Sequence, residues 1–151
     1  MLYRIKCCWS SVWSLRSISY CQRIGVPPQS INMAILIQKT IFVRVSGVIF
    51  TCDPLTLNSE SIIIEASTKQ KTVVSGCISP DFYKLSKELF DIQIIKLKTD
   101  KRSLSENDLL WLWTTAKRIA EHFNNPQEIE WAIDKNNLLY ILQTRPIIVK
   151  R

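Results

Sequence analysis

The sequence predicts an α+β fold, a mixed or antiparallel sheet with helices packed on it and a β-hairpin at the C-terminal end. Three observations carry that prediction. β-Branched runs such as MAILIQKTIF, VSGVIFT and SIIIEA cluster in the middle of the chain, as strands do. Apolar residues recur at three- and four-residue steps near both ends, which is the helical period. The stretch Gln127 to Pro146 alternates polar and apolar residues on both sides of an Asp-Lys-Asn-Asn turn, the pattern of a half-buried hairpin. Strand runs beside separate helices indicate α+β rather than βαβ order.

In chain order, Cys7 to Arg23 reads as a helix with Trp9, Val12, Trp13 and Tyr20 on one face, ended by Gly25 and the Pro27-Pro28 pair. Met33 to Phe42 and Val45 to Thr51 read as strands. Asp53-Pro54 closes the second and opens a polar loop. Ser61 to Ala66 is a buried strand, Thr72 to Cys77 a shorter one, and Ser79-Pro80-Asp81 a turn. Ile92 to Leu97, flanked by lysines, reads as an edge strand. Ser105 begins the second helix as N-cap, with Asp108 completing an approximate capping box. Leu109, Leu112, Trp113, Ala116, Ile119, Ala120 and Phe123 form its buried face, and Asn124, Asn125 and Pro126 stop it.

At 151 residues the chain is about one domain, able to bury a core. Net charge is +7, which admits nucleic-acid binding. The basic residues are scattered, however, and their densest group, Lys96, Lys98, Lys101 and Arg102, brackets a loop. A solvated loop is the plainer account, and nucleic acid is not the expected partner. The five cysteines, Cys7, Cys8, Cys21, Cys52 and Cys77, are odd in number and hold no C-x-x-C pair, and His122 is the single histidine. Neither a zinc site nor a disulfide framework is expected, and free thiols suit a reducing cytoplasm. No apolar run approaches membrane-spanning length, and the N-terminal apolar patch is broken by serines and Arg16, unlike a signal peptide. With glycine only at 25, 47 and 76, no Gly-rich phosphate loop can be drawn. His122, near a helix end, needs no catalytic role.

The closing hairpin is where chemistry can concentrate. Glu128 and Glu130 lie two apart and share one face of a strand, as do Gln143 and Arg145 on the returning strand. With Asn136 and Asn137 as the loop residues, Glu128 faces Arg145 and Glu130 faces Gln143. These are either ordinary cross-strand pairs on a solvent face or a group able to hold a divalent metal and phosphates.

The strings CCWSSVWSLRSISYCQR, AILIQK, VSGVIFTCDPLT, IIIEAS, VVSGCISPDFY and EIEWAIDKNNLLYILQTRP resemble, in order, the ATP/pyruvate-binding domain of pyruvate phosphate dikinases and phosphoenolpyruvate synthases. A similar domain occurs in rifampin phosphotransferases. The resemblance runs from about Cys7 to Val149. It implies an ATP-grasp fold, here a partial lobe, with ATP and Mg2+ as cofactors and an ATP-dependent kinase or phosphotransferase as the parent activity. It places Gln38 beside the adenine. It assigns Glu128, Glu130 and Gln143 to magnesium, and Glu130, Gln143 and Arg145 to ATP. It singles out no catalytic residue.

Departures from the family pattern set further expectations. The chain starts at the CxxSxW-like helix, so residues 1–151 read as a single truncated domain. The front lobe, the phosphohistidine domain and the substrate barrel are expected to be missing, leaving apolar surface exposed near Trp9 and Trp13. Thr68-Lys69-Gln70-Lys71 replaces the family's Gly-Leu-Gly-Glu, either as a solvated turn or as lysines regained for phosphate. The turn at Lys135 to Asn137 is one residue longer than usual. The expectation is an ATP-binding portion not competent alone, needing a separate chain for the missing lobe. The alternative is a non-catalytic remnant or binding module.

Overall fold

The computed structural model describes residues 1–56, 58–68 and 80–147. The chain divides into two compact units, Met1–Thr40 and Ile41–Arg151.

In the first unit the expected single helix is two. α1 spans Leu2–Ser10, a 3-10 turn covers Ser11–Trp13, and α2 spans Leu15–Ile24. Serines cause the break. Ser10 and Ser11 hydroxyls donate back to the Cys7 and Cys8 carbonyls at 2.9 and 2.6 Å, competing with the helix ladder. Ser14 then caps α2, accepting from the Ser17 N–H. Gly25, in the left-handed region at φ 70°, ends α2 as expected. Val12 is buried, whereas Trp9 and Trp13 are about half exposed, at 53% and 54%. Met33 to Phe42 is not a strand: no regular structure runs from Ile31 to Phe42. The β-branched run that predicts one forms no sheet ladder, so propensity alone does not make a strand there.

The second unit is a six-stranded sheet with one long helix. Its strands are β1 (Val43–Phe50), β2 (Ser61–Ser67), β3 (Asp81–Ser86), β4 (Ile92–Lys96), β5 (Gln127–Asp134) and β6 (Leu139–Pro146). The spatial order is β4-β3-β2-β1-β5-β6, and every pairing is antiparallel. β4 is an edge strand, as its lysines predict. β3 begins where the sequence indicates only a turn. Pro80 and the charges of Asp81 and Lys84 hide the alternation of buried Asp81, Tyr83 and Leu85. The Thr72–Cys77 strand and the Lys69–Lys71 turn lie outside the described residues.

α3 (Glu106–Phe123) covers one face of this sheet. The capping box at its start is complete: Asp108 N–H donates to Ser105 Oγ at 3.1 Å, and Ser105 N–H to Asp108 Oδ2 at 3.0 Å. Asn124 ends it at φ 47°. Leu109, Leu112 and Ala116 pack on Val45, Ile49, Ile62, Ile64, Tyr83, Leu85, Ile129, Trp131 and Ile133. Phe123, expected on this face, is 50% exposed because it lies in the last turn. The fold is therefore α+β with an antiparallel sheet, consistent with a partial ATP-grasp-like lobe. Among the described residues, no helix is long and apolar enough to cross a membrane.

Candidate functional site

The sheet face away from α3 carries the hairpin polar groups, and cross-strand register orders them into rows. Residues directly opposite each other share a face. One row reads Lys84, Ile63, Phe50, Glu128, Arg145; the next reads Phe82, Glu65, Val48, Glu130, Gln143. Glu128 thus faces Arg145 and Glu130 faces Gln143, as the alternation predicts.

The route to that register differs from the expected one. Asp134 N–H bonds to the Leu138 carbonyl, leaving Lys135, Asn136 and Asn137 as a three-residue loop. Asn137 takes the left-handed conformation at φ 61°, as three-residue hairpin loops require. Asp134 Oδ1 accepts from the N–H groups of Asn136 and Leu138 at 2.8 and 3.0 Å. This loop shifts the pairing by one residue relative to a two-residue loop. A β-bulge then shifts it back. Trp131 pairs with Ile141, but Glu130 pairs with Gln143, so Leu142 is the extra residue.

Two anchors hold the rows in place. Thr51 N–H donates to the Gln127 carbonyl at 3.0 Å, and Gln127 N–H to Thr51 Oγ1 at 2.8 Å. Buried Gln127 also takes the Thr144 hydroxyl on Oε1 at 3.0 Å, tying β6 to β5. Beneath the face, Gly47 gives the Trp131 ring its room. A Cβ there would stand 2.9 Å from the ring and would collide with the Glu65 carbonyl.

Arg145 Nη2 donates to Glu128 Oε1 at 2.6 Å. This bond, with the Glu128 charge and then that of Glu130, holds the guanidinium pKa above its ordinary value. Glu65, inside IIIEAS and absent from the expected site, stands across Val48 from Glu130. Burial first, and then the Glu128 charge, push its carboxyl pKa up. The signal was available: a single acid inside an isoleucine run faces away from the core side. At the margin, Lys84 Nζ meets Asp53 Oδ2 at 3.3 Å, and Asp53 Oδ1 accepts from the N–H groups of Leu55 and Thr56.

Gln38 lies in the first unit, exposed and outside regular structure. Among the described residues no group of three or more His, Cys, Asp or Glu side chains is gathered tightly enough to hold a metal alone. Magnesium itself takes one or two carboxylates and completes its shell with phosphate oxygens and water. The hard oxygens of Glu130 and Gln143, with a guanidinium one row away, suit that habit.

The family model described as pyruvate phosphate dikinase, AMP/ATP-binding domain, matches residues 1–102 and 90–151. The rifampicin phosphotransferase of Bacillus cereus is 30% identical over 97% of the chain and 19% of its own length. A probable phosphoenolpyruvate synthase of Pyrococcus horikoshii is 30% identical over 95% of the chain and 21% of its own. The phosphoenolpyruvate synthase of Pyrococcus furiosus is 29% identical over 95% and 21%. The chain thus spans about a fifth of the length of these curated relatives.

Proposed function

The chain belongs to the pyruvate phosphate dikinase AMP/ATP-binding domain family, and on that premise we propose that its sheet face away from α3, open to solvent at Gln143 and Arg145, is one wall of a magnesium–ATP site in a dikinase-type phosphotransferase. The observation that carries this reading is the register that sets Glu128 against Arg145 and Glu130 against Gln143 beside Glu65. In this reading Glu130 and Gln143 hold magnesium, with Glu128 as a further oxygen donor. Magnesium, when bound, neutralises phosphate charge. Arg145 offers its planar fork to phosphate oxygens. Gln127 and Thr51 keep β5 and β6 aligned, so the donors are positioned before any ligand arrives. Positioning and charge stabilisation are what phosphoryl transfer asks of a protein.

No phosphoryl-acceptor role is assigned to these 151 residues. Their single histidine, His122, packs edge-on against Phe123 with ring centroids 4.9 Å apart. A separate chain or segment would supply the opposite wall. The second reading, a binding module without turnover, is favoured by the Glu128–Arg145 pair, which already engages one Nη of the guanidinium that phosphate would need.

Calorimetry with MgATP tests the site. We expect weak binding by the wild-type chain, lost in Glu130→Ala, and no pyruvate-dependent ATP consumption. Binding that survives Glu130→Ala would remove this face as the magnesium site. Turnover by the chain alone would remove the need for a second wall.

A further inference from the structure

The loop joining β4 to α3 reads in the sequence as a solvated basic stretch; residues 97–102 are indeed exposed, and their backbone is held at both ends. Buried Asp81 accepts from the Lys98 N–H at 2.8 Å on Oδ1 and from the Ser103 N–H at 2.9 Å on Oδ2. One carboxylate therefore staples both ends of the segment, and the Ser105–Asp108 capping box fixes the entry into α3. Lys98, Lys101 and Arg102 project from this held backbone around a cleft of about 480 Å3, together with Arg44 of β1. A second cleft of about 490 Å3 shares Arg44, Arg102 and Ser103 with the first. Both lie on the side of the sheet that carries α3, since Arg44 Nη2 bonds Asp108 Oδ1 at 2.9 Å.

We propose that this cleft binds a phosphate-bearing anion, at a site separate from the open face. Four cations line it, against one carboxylate, Asp81; the adjoining cleft adds Asp108, and both carboxylates are already engaged. Asp81 holds the loop, and Asp108 holds the helix cap and Arg44. Asp100, on the same loop, is not among the cleft residues. The guanidinium of Arg44 directs Nη2 to Asp108 and leaves Nε buried with no acceptor among the described residues. A buried donor left without a partner is costly, and Arg44 also lines the cleft, where an oxyanion is the class of ligand that suits a guanidinium. Arg forks and lysine ammoniums are the groups proteins use for phosphate.

The test titrates the full chain with pyrophosphate and, separately, with ADP, by calorimetry in low salt. The Lys101→Ala/Arg102→Ala variant is expected to weaken pyrophosphate at least tenfold. Removing equal charge elsewhere, with Arg16→Ala/Arg118→Ala, is expected to change it less than twofold, as is Glu130→Ala. Equal affinity for pyrophosphate and ADP identifies phosphate itself as the ligand; tighter ADP assigns the anion to a nucleotide. The proposal is overturned by no saturable pyrophosphate binding, or by equal losses in the two charge variants. A loss in Glu130→Ala that matches Lys101→Ala/Arg102→Ala would also overturn it, by placing the anion on the open face. The open-face reading stands or falls independently, on MgATP and Glu130.

Discussion

Gly47 shows how one atom decides the site. It faces Ala66 on one side and Trp131 on the other, one residue before Val48 of the Glu130 row. Its backbone is ordinary for a strand, so the demand is for space. Adding a methyl group meets the Glu65 carbonyl, which is backbone and has little room to yield. Gly47→Ala is therefore expected to cost about 3 kcal/mol, read as a lower urea midpoint with unchanged slope. Individual site residues were legible in the hairpin because alternation alone assigns a face. Glu65 was passed over, because a run of isoleucines reads as wholly buried, although an acid inside it marks an outward position beside Ile63. Gly47 was recognisable as part of a motif, but its reason lies in Trp131, 84 positions further along.

Among the elements, α3 was the most legible, because its signals are local. Ser105 and Asp108 exchange two hydrogen bonds within four residues, and the apolar period matches the buried set. Ser105→Ala should cost about 1 kcal/mol and loosen the first turn, seen as faster amide exchange at Asp108 and Leu109. The strands were less legible where partners decide. Met33 to Phe42 has strand composition without a strand partner, whereas β3 has weak composition but pairs with β2 and β4. The first helix failed in another way: serine hydroxyls capture carbonyls well before Gly25, a competition that hydrophobic spacing does not register.

For the molecule as a whole, three aspartates link stability to acid. Asp53 is held below its ordinary pKa, first by the Leu55 N–H. At Asp81 and Asp108 burial pushes upward, but hydrogen bonds from Lys98, Ser103 and Ser105, with the Arg44 charge at Asp108, outweigh it. A depressed folded pKa contributes stability that is complete above the unfolded value near 3.8 and is lost as pH falls through the folded values. Glu65 has the opposite sign: its raised pKa costs stability once pH climbs past the unfolded value near 4.5. Urea unfolding at a series of pH values should therefore show a steep loss below about pH 4, made shallower in Asp108→Asn. A flat acid limb in the wild-type protein would contradict the linkage. The general α+β architecture was readable from the order of strand and helix signals. The staple from Asp81 to its loop was not, because a buried carboxylate serving residues 17 and 22 positions away leaves no mark on local pattern.

The bulge at Leu142 gives β6 one residue of slack. A regular ladder running on from the three-residue loop would set Leu142 against Glu130 and Thr144 against Glu128, and would turn Gln143 and Arg145 toward the helix side. The slack runs in one direction only. Deleting Leu142 straightens the strand and leaves Gln143 opposite Glu130, so the polar rows survive a shorter chain. Inserting a residue after Leu142 lengthens it beyond what one bulge absorbs, and the same four side chains then part company across the sheet. Length variation in this strand is therefore tolerated as loss and penalised as gain.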